Sequence, residues 1–184
     1  MSVREHKIVV LGGMGSGKST LVRAIAAGAV VDTDVPNSDR EGADKASTTV
    51  AMDYADIDLP NGDRLRLYGT PGQQRFDFIW PILLQAASGV VLLLDATRAT
   101  AVVELQSYLA VLREHAEDVP AVIGVSRLDL APAFELESCV AVAGWGDRLL
   151  PVVPVDARER EHGLSLMDVL MSEMEARDLV HSDG

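Results

Sequence analysis

The sequence predicts an α/β fold: a doubly wound, mostly parallel six-stranded sheet with one antiparallel edge strand and helices on both faces. Three observations predict it. Residues 8–11, 90–94, 121–125 and 152–155 are short apolar runs without polar alternation, as expected of strands covered on both sides. Stretches with helical periodicity fall between them. A single strong hairpin signal, Pro60-Asn61-Gly62-Asp63, sits near the start.

Ile8 to Leu11 reads as the first strand, and Lys18 to Ala27 as a helix that Gly28 ends. Ala29 to Ser47 is polar, with Pro36, Gly42 and five acidic residues, and long loops of this kind usually carry function. From Thr48 to Leu59 the apolar positions Val50, Met52, Tyr54 and Ile57 suggest a half-buried strand, and Leu65 and Leu67 return on the second arm of the hairpin. A glycine-rich loop spans Gly69 to Gln74, followed by a predicted helix over Phe76 to Ala87. Val90–Leu94 is a buried strand. Val102, Leu105, Leu109 and Leu112 share one helical face. Ala121–Val125 and Val152–Val155 complete the strands, and Met167, Leu170, Met171 and Met174 form a core-facing stripe on the last helix. Right-handed crossovers then bring the loops after the strands to one crevice.

The chain has 184 residues, enough for one domain spanning residues 1–184. Its 48% hydrophobic content excludes disorder, and a formal net charge of −12 argues against nucleic acid or anionic lipid as partners. The single cysteine, Cys139, permits no internal disulfide and sits in an apolar stretch. The N-terminus lacks a secretion pattern, and the apolar zone from Trp80 to Leu94 is broken by Pro81, Gln85, Ser88 and Gly89. Val180-His181-Ser182-Asp183-Gly184 has no prenylation cysteine. The expectation is a cytoplasmic protein without a direct membrane anchor.

The chemistry centres on Gly12-Gly13-Met14-Gly15-Ser16-Gly17-Lys18-Ser19, placed between the first strand and the first helix. This is the phosphate-loop pattern G-x-x-x-x-G-K-[ST] in its required context. Small residues let backbone N–H groups from Gly15 through Thr20 wrap a phosphate, and the helix beginning near Lys18 aims its positive dipole end at it. Lys18 reaches the terminal phosphates as a point charge, and the Ser19 hydroxyl is a Mg²⁺ ligand. The pattern implies a nucleoside di- or triphosphate.

The later loops resemble those of the Ras-like small GTPases over nearly the whole chain. Gly69-Thr70-Pro71-Gly72-Gln73 and Val155-Asp156-Ala157-Arg158 are similar to the bacterial branch of that superfamily, which includes the gliding-motility polarity GTPases and the actinobacterial conservon GTP-binding proteins. The resemblance implies a switch I threonine at Thr49, completing the Mg²⁺ shell, with Thr48 the neighbouring alternative. It implies that Gly72 donates its N–H to the γ-phosphate and that Gln73 orients the attacking water. The aspartate that opens switch II in the family is Gly69 here, so Mg²⁺ is expected to be held less firmly; Asp95 and Asp53 are the candidates for compensation. Ser126-Arg127-Leu128-Asp129 stands where the family carries Asn-Lys-x-Asp. Asp129 fits a guanine reader, since its oxygens accept from the ring N–H and exocyclic amine that adenine does not offer as a pair. Arg127 is positioned to lie along the base. Asp156, Ala157 and Arg158 match the last nucleotide loop, whose backbone contacts the base oxygen.

Met14 occupies a position where a small residue leaves room for the catalytic glutamine, so slow hydrolysis is expected. Arg40 and Arg75 compete as the cis arginine beside the γ-phosphate, with a surface salt bridge the alternative role for Arg40. The histidines His6, His115, His162 and His181 lack ligand spacing. The reading is a Mg²⁺-dependent GTP/GDP switch that works with a roadblock-type partner, as the resemblance implies; Tyr54, Phe76, Phe78 and Trp80 are either the surface that partner reads or core residues. The alternatives are a nucleotide-binding platform with negligible turnover and, behind it, a small-molecule kinase.

Overall fold

The structure, a computed structural model, describes residues 2–26, 53–70 and 78–182. In chain order its elements are β1 (Glu5–Gly12), α1 (Lys18–Ala26), β2 (Asp53–Asp58), β3 (Arg64–Gly69), α2 (Trp80–Leu84), β4 (Gly89–Asp95), α3 (Ala101–His115), β5 (Ala121–Ser126), α4 (Leu136–Val142), β6 (Gly144–Trp145), β7 (Arg148–Leu149), β8 (Val152–Pro154) and α5 (Arg160–Ser182). The main sheet has six strands in the order β2-β3-β1-β4-β5-β8. Every neighbouring pair is parallel except β2 with β3, the predicted antiparallel edge.

Side chains alternate across the central strands, and both faces are covered. Val9, Leu11, Val90, Leu92 and Leu94 pack under α2, α3 and α4 with Leu105, Leu109 and Cys139. Ile8, Val10, Val91 and Leu93 face α1 and α5, where Leu21, Ile25, Leu166, Leu170 and Met174 close the second core. This two-sided burial is why the strands read as unbroken apolar runs. The methionine stripe of α5 is core, with Met167 and Met174 buried and Met171 packed at its border.

Two features depart from the expectation. The helix expected over 76–87 is much shorter: α2 holds five residues, with Pro81 in its first turn, and it ends where Gln85 turns extended and Ala86 takes a left-handed φ of 58°. Residues 76 and 77 lie outside the described residues. A small antiparallel ribbon, β6 with β7, joins α4 to β8 and had no counterpart in the sequence reading. Among the described residues no helix is long and apolar enough to cross a membrane.

The α1–α5 contact depends on one small residue. A Cβ at Gly163 would lie 2.5 Å from Ile25 Cγ1 and 3.3 Å from Leu21 Cδ1, both on fully buried side chains. Helix propensity alone would make Gly163→Ala stabilising by about 1 kcal/mol. The contact reverses the sign: the expected outcome is a loss of roughly 1–3 kcal/mol in urea unfolding.

Candidate functional site

The five parallel strands deliver their C-terminal ends to one edge of the sheet. β2 runs the opposite way, so its first residue, Asp53, reaches the same edge and pairs with Gly69, the last residue of β3.

After β1 the chain turns through Gly15 (φ 76°) and Gly17 (φ 101°), a backbone that side chains resist. At Gly12 the constraint is space, because a Cβ would sit 2.6 Å from the Leu93 carbonyl oxygen. α1 begins at Lys18, so its unpaired first-turn N–H groups face the loop. Lys18 Nζ donates to the carbonyls of Gly12 and Gly13, each at 2.7 Å, and curls over the loop. The side chain is 7% exposed. Burial pushes its ammonium pKa down to about 8, and Asp53 pulls the other way.

Ser19 Oγ donates a short hydrogen bond to Asp53 Oδ2. Asp53 also fills the space beside Gly69: a Cβ added at Gly69 would lie 3.2 Å from Asp53 Cβ and 3.5 Å from Asp53 Oδ2. Of the two candidates raised by the sequence, Asp53 therefore stands at Ser19. Asp95 is engaged elsewhere, holding Thr97 and Arg127. A hydroxyl and a carboxylate in contact are the hard oxygen donors that Mg²⁺ takes, so these residues fit that ion.

Ser126 does not face outward to a base. It is 2% exposed, and its hydroxyl lies 3.1 Å from the Ser16 carbonyl and 2.9 Å from that of Leu94, tying the loop after β5 to the phosphate loop. Arg127 follows in a left-handed conformation (φ 60°), with Nη1 donating to Asp95 Oδ2 at 2.6 Å. Asp129, on a short 3-10 turn, is largely exposed, with Arg158 Nη2 at 3.9 Å. Asp156 accepts from Arg158 three times, through its backbone N–H (3.0 Å), Nε (2.9 Å) and Nη2 (2.7 Å). Those bonds hold the Asp156 carboxyl at about 2. His162 Nδ1 accepts the Asp156 backbone N–H at 3.0 Å, a role for a histidine that the sequence did not signal. Ala157 sits against Gly17, so the last loop packs on the first.

These groups line two hollows of about 290 Å³ each. One is walled by Met14, Gly15, Lys18, Ser19, Thr70 and others; the second by Ser16, Ser126, Asp129, Asp156, Ala157 and Arg158. Gly17, Thr20 and Arg127 line both, so the two form one groove. A larger hollow of about 450 Å³ lies at the other end, around Trp145 between α3 and α5. Its arginines Arg113, Arg148 and Arg177 are matched by Glu117, Asp118 and Asp147. It carries no phosphate-loop geometry.

Thr48, Thr49, Gly72, Gln73, Arg40 and Arg75 lie outside the described residues, as does Phe76. Of the other aromatics, Trp80 is buried and stacks edge-on against Tyr108 at 5.4 Å, Tyr54 stacks on Tyr68, and Phe78 is 66% exposed.

A family model described as "conserved hypothetical ATP binding protein" matches residues 29–147, more than half of the chain. The chain is also similar, at a distance, to Ras-related proteins. It is 28% identical over 125 residues to the human "Ras-related protein Rab-40A-like", covering 68% of this chain and 42% of that one. It is 26% identical over 140 residues to human "Ras-related protein Rab-31", covering 74% of this chain and 66% of that one. Over 140 residues it is 28% identical to the "Ras and EF-hand domain-containing protein" of Danio rerio, covering 74% of this chain and 19% of that one. The chain thus spans less than two thirds of the length of these relatives. Together the likenesses indicate a nucleotide-binding P-loop protein with Ras-like relatives.

The low pKa of Lys18 sets a pH dependence. Nucleotide affinity is expected to be flat below pH 8 and to fall as pH rises through it, by up to about tenfold per unit, because the empty site must first be reprotonated. The empty protein should respond in the opposite sense. Between pH 8 and about 10.5 the unfolded chain holds the proton that the folded one has lost, so stability from this group rises with pH. Calorimetric titrations at pH 7 and 9, with Lys18→Ala as control, check the first; urea melts across the same range check the second.

Proposed function

The chain belongs to the family described as conserved hypothetical ATP binding proteins, and within it we propose that this protein is a Mg²⁺-dependent guanine-nucleotide switch with slow hydrolysis of GTP. One observation carries the reading: the groove that holds Lys18 and Ser19 at one end runs through Gly17, Thr20 and Arg127 to Asp129 at the other. A polyphosphate and a purine are the two ends of one ligand that such a groove fits.

In this reading the N–H groups from Gly15 to Thr20 hold the β-phosphate, and Lys18 exchanges its bonds to the Gly12 and Gly13 carbonyls for phosphate oxygens. Ser19, Asp53 and Thr49 are the oxygens offered to Mg²⁺, which when bound neutralises charge on the β- and γ-phosphates. Asp53 takes over, from the neighbouring strand, the place that Gly69 leaves empty. Gly72 donates its N–H to the γ-phosphate, and Gln73 orients the water that attacks it. Release of that phosphate frees the loops around Thr49 and Gly72, and a roadblock-type partner reads the change. Exposed Phe78 and Ile82 are apolar residues available to that partner. Met14, which lines the phosphate end, and Gly69 both favour slow turnover.

The base is the point at which the family description and the site diverge. The description names ATP. Asp129 favours guanine, because its carboxylate would be left without donors against adenine. Ser126 and Arg158 support that arrangement: one ties the loop to Ser16, and the other stands beside the Asp129 carboxylate.

Titration of nucleotide-free protein with GDP, GTP, ADP and ATP tests the reading, and preference for adenine nucleotides would overturn it. Asp129→Asn is expected to weaken GDP binding on the order of a hundredfold and to favour xanthosine diphosphate. Asp53→Asn should raise the Mg²⁺ concentration needed for half-maximal nucleotide retention about tenfold while leaving binding without metal nearly unchanged. Single-turnover assays of GTP-loaded protein separate a slow switch from a platform that never turns over.

A further inference from the structure

We propose that Asp95 is a positioning residue that fixes Arg127 across the middle of the groove, and that this ion pair governs how long the nucleotide stays bound. The inference rests on the nucleotide reading above. Asp95 closes β4 and is paired in register with Ser126, so the residue after its partner is Arg127. Asp95 is 4% exposed, and both of its oxygens are used. Oδ1 accepts from the Thr97 backbone N–H at 2.9 Å and from Thr97 Oγ1 at 2.5 Å. Oδ2 accepts from Arg127 Nη1 at 2.6 Å. Burial raises the carboxyl pKa, but the Thr97 bonds and the Arg127 charge outweigh it and hold the group below the usual carboxylate range. The acid is therefore held ionised by Thr97 and Arg127 together, and the two Thr97 bonds seat it.

Arg127 has the features of a residue held for a ligand. Its left-handed backbone is costly for a side chain, and such strain is kept where surrounding structure enforces it. It lines both the phosphate hollow and the base hollow. It has five N–H donors, and among the described residues the Nη1 bond to Asp95 is the one it makes. Because Arg127 lines both hollows, its remaining donors are within the proposal the ones offered to the sugar and phosphate oxygens of a nucleotide. Untethered, a half-exposed arginine would lose much of that contact to side-chain freedom. The buried carboxylate removes that freedom in advance.

The test is the release rate of fluorescent GDP and ADP, chased with unlabelled nucleotide at saturating Mg²⁺, in the wild type, Arg127→Ala, Asp95→Asn, the double variant and Thr97→Ala. With whichever nucleotide binds, Arg127→Ala and Asp95→Asn are each expected to speed release about tenfold, and the double variant no more than either alone. Thr97→Ala, which removes the hydroxyl bond but leaves the Thr97 backbone N–H bond and the ion pair, is expected to speed release clearly less than Asp95→Asn. Arg127→Ala at the wild-type rate, or a double variant with multiplied effects of about a hundredfold, overturns the proposal. Thr97→Ala as fast as Asp95→Asn also overturns it, by showing a loop defect instead of a tether. If neither nucleotide binds the wild type, the nucleotide reading fails first, and this inference falls with it.

Discussion

The constraint on which the rest depends is that the parallel strands all end on one edge of a sheet buried from both sides. β1 lies third in the sheet and ends at Gly12, where no side chain fits against the Leu93 carbonyl of β4. That contact fixes the phosphate loop against the neighbouring strand. Thr70 after β3 and the loops after β5 and β8 meet it at that edge. Ser126 reaching Ser16, Thr70 bonded through its backbone and side chain to the Val10 carbonyl, and Ala157 resting on Gly17 turn separate loops into one floor.

Electrostatics at that floor runs against the character of the chain. The protein carries a net charge of −12, yet the groove gathers Lys18, Arg127 and Arg158. Each cation is held by an acceptor of its own: the Gly12 and Gly13 carbonyls for Lys18, Asp95 for Arg127, Asp156 for Arg158. Buried charge without partners is costly, which applies to Lys18, while the carboxylates position the more exposed arginines. An anionic ligand competes with the carbonyls for Lys18, while Arg127 keeps free donors beside its tether.

Much of this was legible in the sequence, and for physical reasons. A strand covered on both faces must be apolar throughout, so Val90–Leu94 and Ala121–Val125 announced themselves. A loop that wraps phosphate needs small residues at fixed spacing, so Gly12–Ser19 did too. What stayed hidden depends on pairing between distant segments. The sequence named Asp53 beside Asp95, and the choice between them rests on β2 being antiparallel and in register with Gly69, which brings Asp53 to Ser19. The tie from Asp95 to Arg127 crosses two strands, and the bond from Asp156 to His162 depends on where α5 begins. The short α2 and the β6–β7 ribbon were missed because five-residue and two-residue elements leave no periodicity to read.

The two tryptophans belong to the same core layer and meet α3 at different points, Trp80 at Tyr108 and Trp145 at Arg113. Trp145 is clamped by the Glu117 carbonyl and Arg113, and lines the larger hollow instead of the groove. Trp80 heads the helix that follows the loop after β3, and its ring meets Tyr108, whose hydroxyl comes within 3.5 Å of where a Gly13 side chain would begin. An aromatic pair thus bridges the start of α2 and the phosphate loop. The molecule carries its own optical gauge there: indole emission from Trp80 is seated to register rearrangement at the groove.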